Sequence, residues 1–259
     1  MMRTFDLDFI YFDIGLTAVW MLILWRKNRR LPIVFGLMGF VVYLIFDYGI
    51  WYSLLHTRVF YELPTWLNPF TFLLYFSFTY GMVQFSYVTL ILTEQPDRNE
   101  IIFFSALLYV GWLAIGLASQ LIPMDDAQIS IARIMTAQRG IQAVAVAVEY
   151  LVLLALAQRG KIGLTFQRVV FIFAVGVFVH FSMESTLLIV GVRNFSLFDL
   201  LFDSLLEFNT GAPVLYILGH YARQFMHARA DLTPGPEGPA TTTGKTIGSG
   251  GVSSSSKCS

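Results

Sequence analysis

Phe35-Gly-Leu-Met-Gly-Phe-Val-Val-Tyr-Leu-Ile-Phe-Asp-Tyr-Gly-Ile-Trp-Tyr-Ser-Leu-Leu55 is an apolar run long enough to cross a bilayer, and it carries one carboxylate, Asp47. A helix rises about 1.5 Å per residue, so roughly 20 such residues traverse the hydrocarbon layer. An ionisable side chain at that depth costs at least about 2.5 kcal/mol. Asp47 therefore marks a site, a relay or a buried pair. Comparable runs occupy 8–26, 31–56, 66–93, 101–122, 139–158, 164–191 and 197–222. Together they predict an all-α fold: a polytopic membrane protein with a seven-transmembrane-helix bundle over residues 1–228. After it, residues 229–259 turn to Pro, Gly, Ser and Thr without an apolar period, which predicts a disordered tail.

Composition points the same way. Hydrophobic residues make up 56% of the chain and charged residues 13%, against roughly one quarter charged in a soluble domain. Basic and acidic residues number 17 each, so the balance argues against a nucleic-acid partner and leaves the lipid bilayer as the expected one. With Cys258 as the one cysteine, neither a disulfide framework nor a thiolate metal site is available. The first apolar run already contains Asp13, so it is expected to be a retained span and not a cleaved leader.

The basic residues set an orientation. One side of the run pattern collects Arg26, Lys27, Arg29, Arg30, Arg98, Arg159, Lys161, Arg168, Arg223 and Arg229; the other has Arg3, Arg58, Arg133, Arg139 and Arg193. The richer side is expected to be cytoplasmic, with the N-terminus outside or lumenal and the C-terminus inside. The membrane would be the endoplasmic reticulum in a eukaryote or the inner membrane in a bacterium.

On that topology most intramembrane acids fall in the outer half. Asp13 lies near the outer surface, where solvation is the expected state, and Asp47 lies deeper. Glu149 sits mid-span, with Arg139 or His180 as expected partners. His180 and Glu184, at i and i+4, share one helix face, and Asp199, Asp203, Glu207 and Gly211 descend one stripe at four-residue steps. Asp47 and Glu207 have no basic residue on their own runs nearby. The pattern predicts a polar cavity open to the outer side. Rings crowd the same region: Phe46 and Trp51 beside Asp47, and Tyr75 and Tyr80 in the third run. Most such rings in a bundle are packing; as a group they can line a pocket that solvates a cation.

Several chemistries are excluded. Lys27, Lys161, Lys245 and Lys257 all lie outside the runs, so no retinal Schiff base can form. His56, His180, His220 and His227 are too few for an iron hydroxylase and too scattered for a zinc site, so no metal and no cofactor is expected. Asp199-x-x-x-Asp203-x-x-x-Glu207 is similar to the aspartate motifs of intramembrane prenyltransferases, which hold magnesium and diphosphate, but a second motif is missing.

Tyr43-Leu-Ile-Phe46-Asp47-Tyr48 in the second run, and Glu207, Gly211 and Tyr216 in the last, resemble the paired acidic motifs of the small seven-span terpene cyclases of fungal meroterpenoid and indole-diterpene pathways. The acids are exchanged relative to that family, Asp for Glu in the second span and Glu for Asp in the last, and Tyr43 stands at its asparagine. The resemblance implies a membrane-embedded cyclase of isomerase or lyase type, working in secondary-metabolite terpenoid biosynthesis. It would protonate an apolar prenylated alkene or epoxide to start carbocation cyclisation, without metal or cofactor. Asp47 would be the acid and Glu207 the second carboxylate, with Glu184 as substitute; Phe46, Trp51, Tyr75, Tyr80, His180 and Asp203 would contact substrate. A carboxyl among rings pays to ionise and stays protonated, which suits a general acid. The competing readings are a seven-span sensor or carrier with an outward-facing acidic cavity, and a prenyltransferase-like enzyme.

Overall fold

The computed structural model describes residues 2–122, 124–134 and 136–232. The long helices start where short polar residues supply caps for the first free N–H groups. Asp6 accepts from the Asp8 N–H (2.9 Å), Asn68 from Thr71 (2.8 Å), Asp97 from Glu100 (2.7 Å), Thr165 from Arg168 (3.2 Å) and Ser196 from Asp199 (3.2 Å). These caps open α1 (Leu7–Arg26), α3 (Pro69–Thr89), α4 (Arg98–Leu121), α6 (Phe166–Ile189) and α7 (Leu197–Leu206). Between them lie α2 (Arg30–Leu44), which continues as a π-helix over Ile45–Leu54, and α5 (Thr136–Gln158); α8 (Ala212–Leu232) follows.

Among the described residues five helices are long and apolar enough to cross a membrane: Leu7–Arg26, Arg30–Leu54, Arg98–Leu121, Gln138–Gln158 and Phe166–Ile189. The third and seventh expected runs differ from these for physical reasons. Helix α3 is the central one. It buries Ser77, Thr79, Gln84, Ser86 and Thr89, which lower its hydropathy because its neighbours, not lipid, surround it. The seventh run is broken between α7 and α8, and Gly211 in the break adopts φ 129°, a conformation closed to residues with a Cβ. Helix α8 runs on to Leu232, past the expected boundary at 228. The expected disordered tail lies, beyond Leu232, outside the described residues.

Helices α2 and α3 meet closely. A Cβ on Gly39 would lie 2.6 Å from the Gly81 carbonyl oxygen, and one on Gly81 would strike the Gly39 and Phe40 backbone, so only hydrogen fits at either position. Helix α1 is tied to α3 by the Trp20 indole N–H, which donates to the Ser86 hydroxyl at 2.8 Å. Through the centre runs a column of rings, Phe72, Phe76, Tyr80 and Trp112, with successive centroids 6.2, 4.0 and 5.7 Å apart.

The chain is mostly helical, as the sequence predicts, and one small sheet joins the helices. The strands β1 (Met2–Asp6), β2 (Arg58–Glu62) and β3 (Gln128–Arg133) form an antiparallel sheet of order β1-β3-β2. Each strand lies in a connection, where a search for spans does not look. Arg3 pairs with Ile131 and Arg58 with Arg133, and the Thr4 N–H donates to Val192 O at 2.9 Å. The N-terminal strand and the α2–α3, α4–α5 and α6–α7 connections thus meet at one end of the bundle. At the opposite end Arg29 bonds Glu94 at 2.9 Å and pairs with Glu100, joining the α1–α2 and α3–α4 turns.

Candidate functional site: a buried ion-pair lattice beneath the sheet

The strands aim arginines into the bundle. Arg3, Arg58 and Arg133 come from the three strands, Arg193 from the α6–α7 connection and Arg139 from the first turns of α5. They meet Asp47, Glu184, Asp199, Asp203 and Glu207. Arg58 pairs with Asp47 and Arg133 with Glu207; Arg193 pairs with Glu184. The Arg3 Nη2 stands 2.5 Å from Glu184. Asp203 receives Arg139 at 2.7 Å and Arg193 at 3.1 Å, while Asp199 receives Arg139 at 3.1 Å. Five guanidiniums against five carboxylates leave no net charge, the condition under which charges can be buried.

Asp47, Glu184, Glu207, His180 and Asp203 are therefore brought together in one ion-pair lattice, and their partners are not those expected. Asp47 and Glu207 do have basic partners, in Arg58 and Arg133. The arginines belong to connections that fold back as strands, and a guanidinium at the end of a long stem reaches down to acids a turn or more inside. Where a free acid was expected, Asp47 is salt-bridged to Arg58. Arg58 also lies 5.4 Å from the Phe76 ring and 5.8 Å from Trp51, and Arg133 lies 4.9 Å from Trp51. Trp51 thus faces cations, though they are the protein's own. Burial, followed by the nearby Arg58 and Arg3, lowers the Arg133 pKa, and Glu207 supplies its countercharge.

His180 lies between two acids. Its Nε2 is 2.8 Å from Glu207 and 3.5 Å from Glu184, at ion-pair distance though without hydrogen-bond alignment among the described residues. These three donors lie within 4.8 Å of one another, a spacing a metal ion can use. Arg3, Arg133 and Arg193 already occupy both carboxylates, so the donor set is committed elsewhere. The outward cavity expected from the sequence is filled by this lattice and roofed by the sheet. What remains between Arg3, Arg58, Ile131, Ala132 and Arg133 is a cleft of about 10 Å³, about the room of one water molecule.

Three further expectations change. Asp13 is fully buried, not solvated. Its oxygens accept from the Tyr75 hydroxyl at 2.8 Å and the Trp112 indole N–H at 3.3 Å, so its partners are uncharged. Glu149 accepts from the Gly211 N–H at 3.1 Å, satisfying the break in the last run, while Arg139 serves Asp199 and Asp203. Phe46 is 45% exposed on the bundle surface, 6.1 Å from Trp51, and so stands outside the lattice. Tyr75 and Tyr80 belong with Asp13: Tyr80 stacks between Phe76 and Trp112.

The partners that sequence reading missed are Arg3, Arg58, Arg133 and Arg193, and Arg139, expected beside Glu149, serves Asp199 and Asp203 instead. Their signal was present: all five fall on the side of the chain that the orientation argument left poor in positive charge, where the acids also lie. Comparison of the chain with known protein families, with characterised proteins and with solved structures finds no match, so the cyclase resemblance rests on the motif residues alone.

Proposed function

We propose that the chain is a seven-span membrane protein with its sheet end outside or lumenal, and that the lattice is a proton-transfer site of the terpene-cyclase kind. The observation that supports this reading is the line Glu184, His180, Glu207, in which an imidazole lies 3.5 and 2.8 Å from two carboxylates in a buried setting. Once its ring turns into line, an imidazole at these distances passes a proton to either neighbour, and general acid–base catalysis by a positioned side chain contributes about 10²–10⁴-fold. In this reading Glu207, protonated through His180, donates that proton to a prenylated alkene or epoxide, and the carboxylate so formed takes back the proton lost from the final carbocation. Asp47 becomes the counter-ion that keeps Arg58 in place. Admission of a substrate requires the Arg133–Glu207 pair to part, which frees the carboxylate and the face of Trp51 together.

A second reading, a carrier or sensor, draws on the break between α7 and α8 directly after Glu207, because discontinuous helices with polar groups at the break serve ion and substrate sites in transporters. One experiment separates the two. Wild type, Glu207→Gln and His180→Gln are reconstituted in vesicles, supplied with prenylated aromatic or indole epoxides, and assayed for cyclised product and for proton flux. The cyclase reading expects product from wild type, none from Glu207→Gln, and a loss of about 10²-fold or more in His180→Gln. Full turnover in Glu207→Gln sinks it; proton flux without product from wild type establishes the carrier.

A further inference from the structure

At the end of the bundle away from the sheet, a cleft of about 60 Å³ opens between the last turn of the third run and α8. Its polar lining comes from Thr93, Gln95, His220 and Arg223. Gln95, at φ 51°, turns the chain out of the helix and leaves the final carbonyls of that run exposed to side chains from elsewhere. Two guanidiniums answer: Arg223 donates to Thr93 O and Arg168 to Leu92 O, each at 2.5 Å. Each bond uses one of five N–H donors. Arg168 also lies 5.7 Å from the ring of Tyr216, another lining residue, which holds its charge beside the cleft.

The Thr93 hydroxyl is the second observation. Thr93 is 5% exposed, and its Oγ1 has no hydrogen-bond partner among the described residues. Gly219 stands against it, and a Cβ there would collide with that oxygen, so the small residue preserves the space. The nearest acid along the chain, Glu94, is already paired with Arg29 at 2.9 Å. Glu94 also lies within electrostatic reach of Arg223, but its hydrogen bond goes to Arg29, so the cleft itself is a concave set of donors. Its volume is on the order of four water molecules, the size of four oxygens around one central atom.

We propose that this cleft binds a phosphate group, with Arg223 and Thr93 as its direct donors and Arg168 supplying charge from the side. A phosphate accepts several charge-assisted hydrogen bonds at once, and a guanidinium fork matches its oxygens. The group comes either from the head of an anionic phospholipid in the adjacent leaflet or from free phosphate, and the two sources differ in whether an acyl chain is needed.

The test uses the full chain in detergent, with Arg223→Gln, Thr93→Val and, as a control for general surface attraction, Arg159→Gln. Binding is read with fluorescent phosphatidic acid, in competition with unlabelled phosphatidic acid, phosphatidylcholine or inorganic phosphate. Thr93→Val keeps the side-chain shape and removes only an unpartnered hydroxyl, so folding is preserved even where Arg223→Gln loosens the helix end. The expected result is a loss of affinity of about tenfold or more in Arg223→Gln and several-fold in Thr93→Val, with Arg159→Gln like wild type. Competition by phosphatidic acid alone identifies the lipid; equal competition by inorganic phosphate identifies the free ion. Both cleft variants binding like wild type, Arg159→Gln losing as much as they do, or phosphatidylcholine competing equally overturns the proposal.

Discussion

Asp47 and Arg58 are eleven residues apart, yet their pairing was not legible from the sequence. Counting basic residues at span ends treats each as a solvated marker of sidedness, whereas Arg58 is 5% exposed and points back into the bundle. The acids were legible because carboxylates inside apolar runs are conspicuous; their partners were not, because arginines in short connections are ordinary. The pairing reverses the expected outcome of one substitution. Asp47→Asn would be nearly free for a neutral acid, but here it leaves a buried guanidinium without its countercharge, a loss of about 3–5 kcal/mol. A lowered detergent melting temperature in Asp47→Asn, partly restored in Asp47→Asn/Arg58→Met, is the expected result, and an unchanged melting temperature contradicts the pair. Asp13 gives the contrast. Asp13→Asn retains an acceptor for Tyr75 and Trp112 and is expected to melt close to wild type, whereas Asp13→Leu strands two buried donors at about 1–3 kcal/mol each. Equal melting of the two Asp13 variants would show that those hydrogen bonds contribute nothing.

At the scale of elements, length and apolarity revealed where helices lie but not how they are interrupted or packed. The break after Glu207 was hidden because the runs on either side of it are apolar; Asn209, Thr210, Gly211 and Pro213 mark the gap in sequence, and the Gly211 N–H donates to Glu149 across it. The strands were hidden because five or six residues in a connection give too short a period to stand out beside seven long runs. Packing of α2 on α3 was hidden because glycine is common in membrane helices. The coordinates separate a glycine that is required from one that is not. A Cβ on Gly81 meets the Gly39–Phe40 backbone, which cannot yield as a side-chain tip can, whereas one on Gly49 meets nothing within 4 Å. Gly81→Ala is therefore expected to lose about 1–3 kcal/mol to overpacking, seen as a lower melting temperature, while Gly49→Ala stays at wild type or above. Equal behaviour of the two would mean that α2 and α3 do not approach as closely as described.

For the whole molecule, the sheet supplies a topological argument that hydropathy cannot. β1, β2, β3 and Val192 are hydrogen-bonded to one another at one end, so the helices between successive members leave that end and return to it. Two helices separate β1 from β2, two separate β2 from β3, and two separate β3 from Val192. Helix α3 must then run the length of the bundle with its partner α4, although its buried polar residues keep it out of the set that qualifies by apolarity. The same parity places the connection at Lys161 at the opposite end from the one at Asn194, with α6 between them. Joined to the excess of basic residues on the Lys161 side, this predicts that Asn194 faces the outside or lumen and Lys161 the cytoplasm. Both positions are exposed, so single cysteines introduced there in a Cys258→Ser background report side and not burial. In sealed cells or right-side-out vesicles an impermeant maleimide is expected to label Asn194→Cys at once and Lys161→Cys only after permeabilisation. Reversed labelling would put the arginine lattice on the cytoplasmic side and invert the orientation. Labelling of both from one side would break the parity and with it the sheet, because no chain can cross once between segments that pair at a single end.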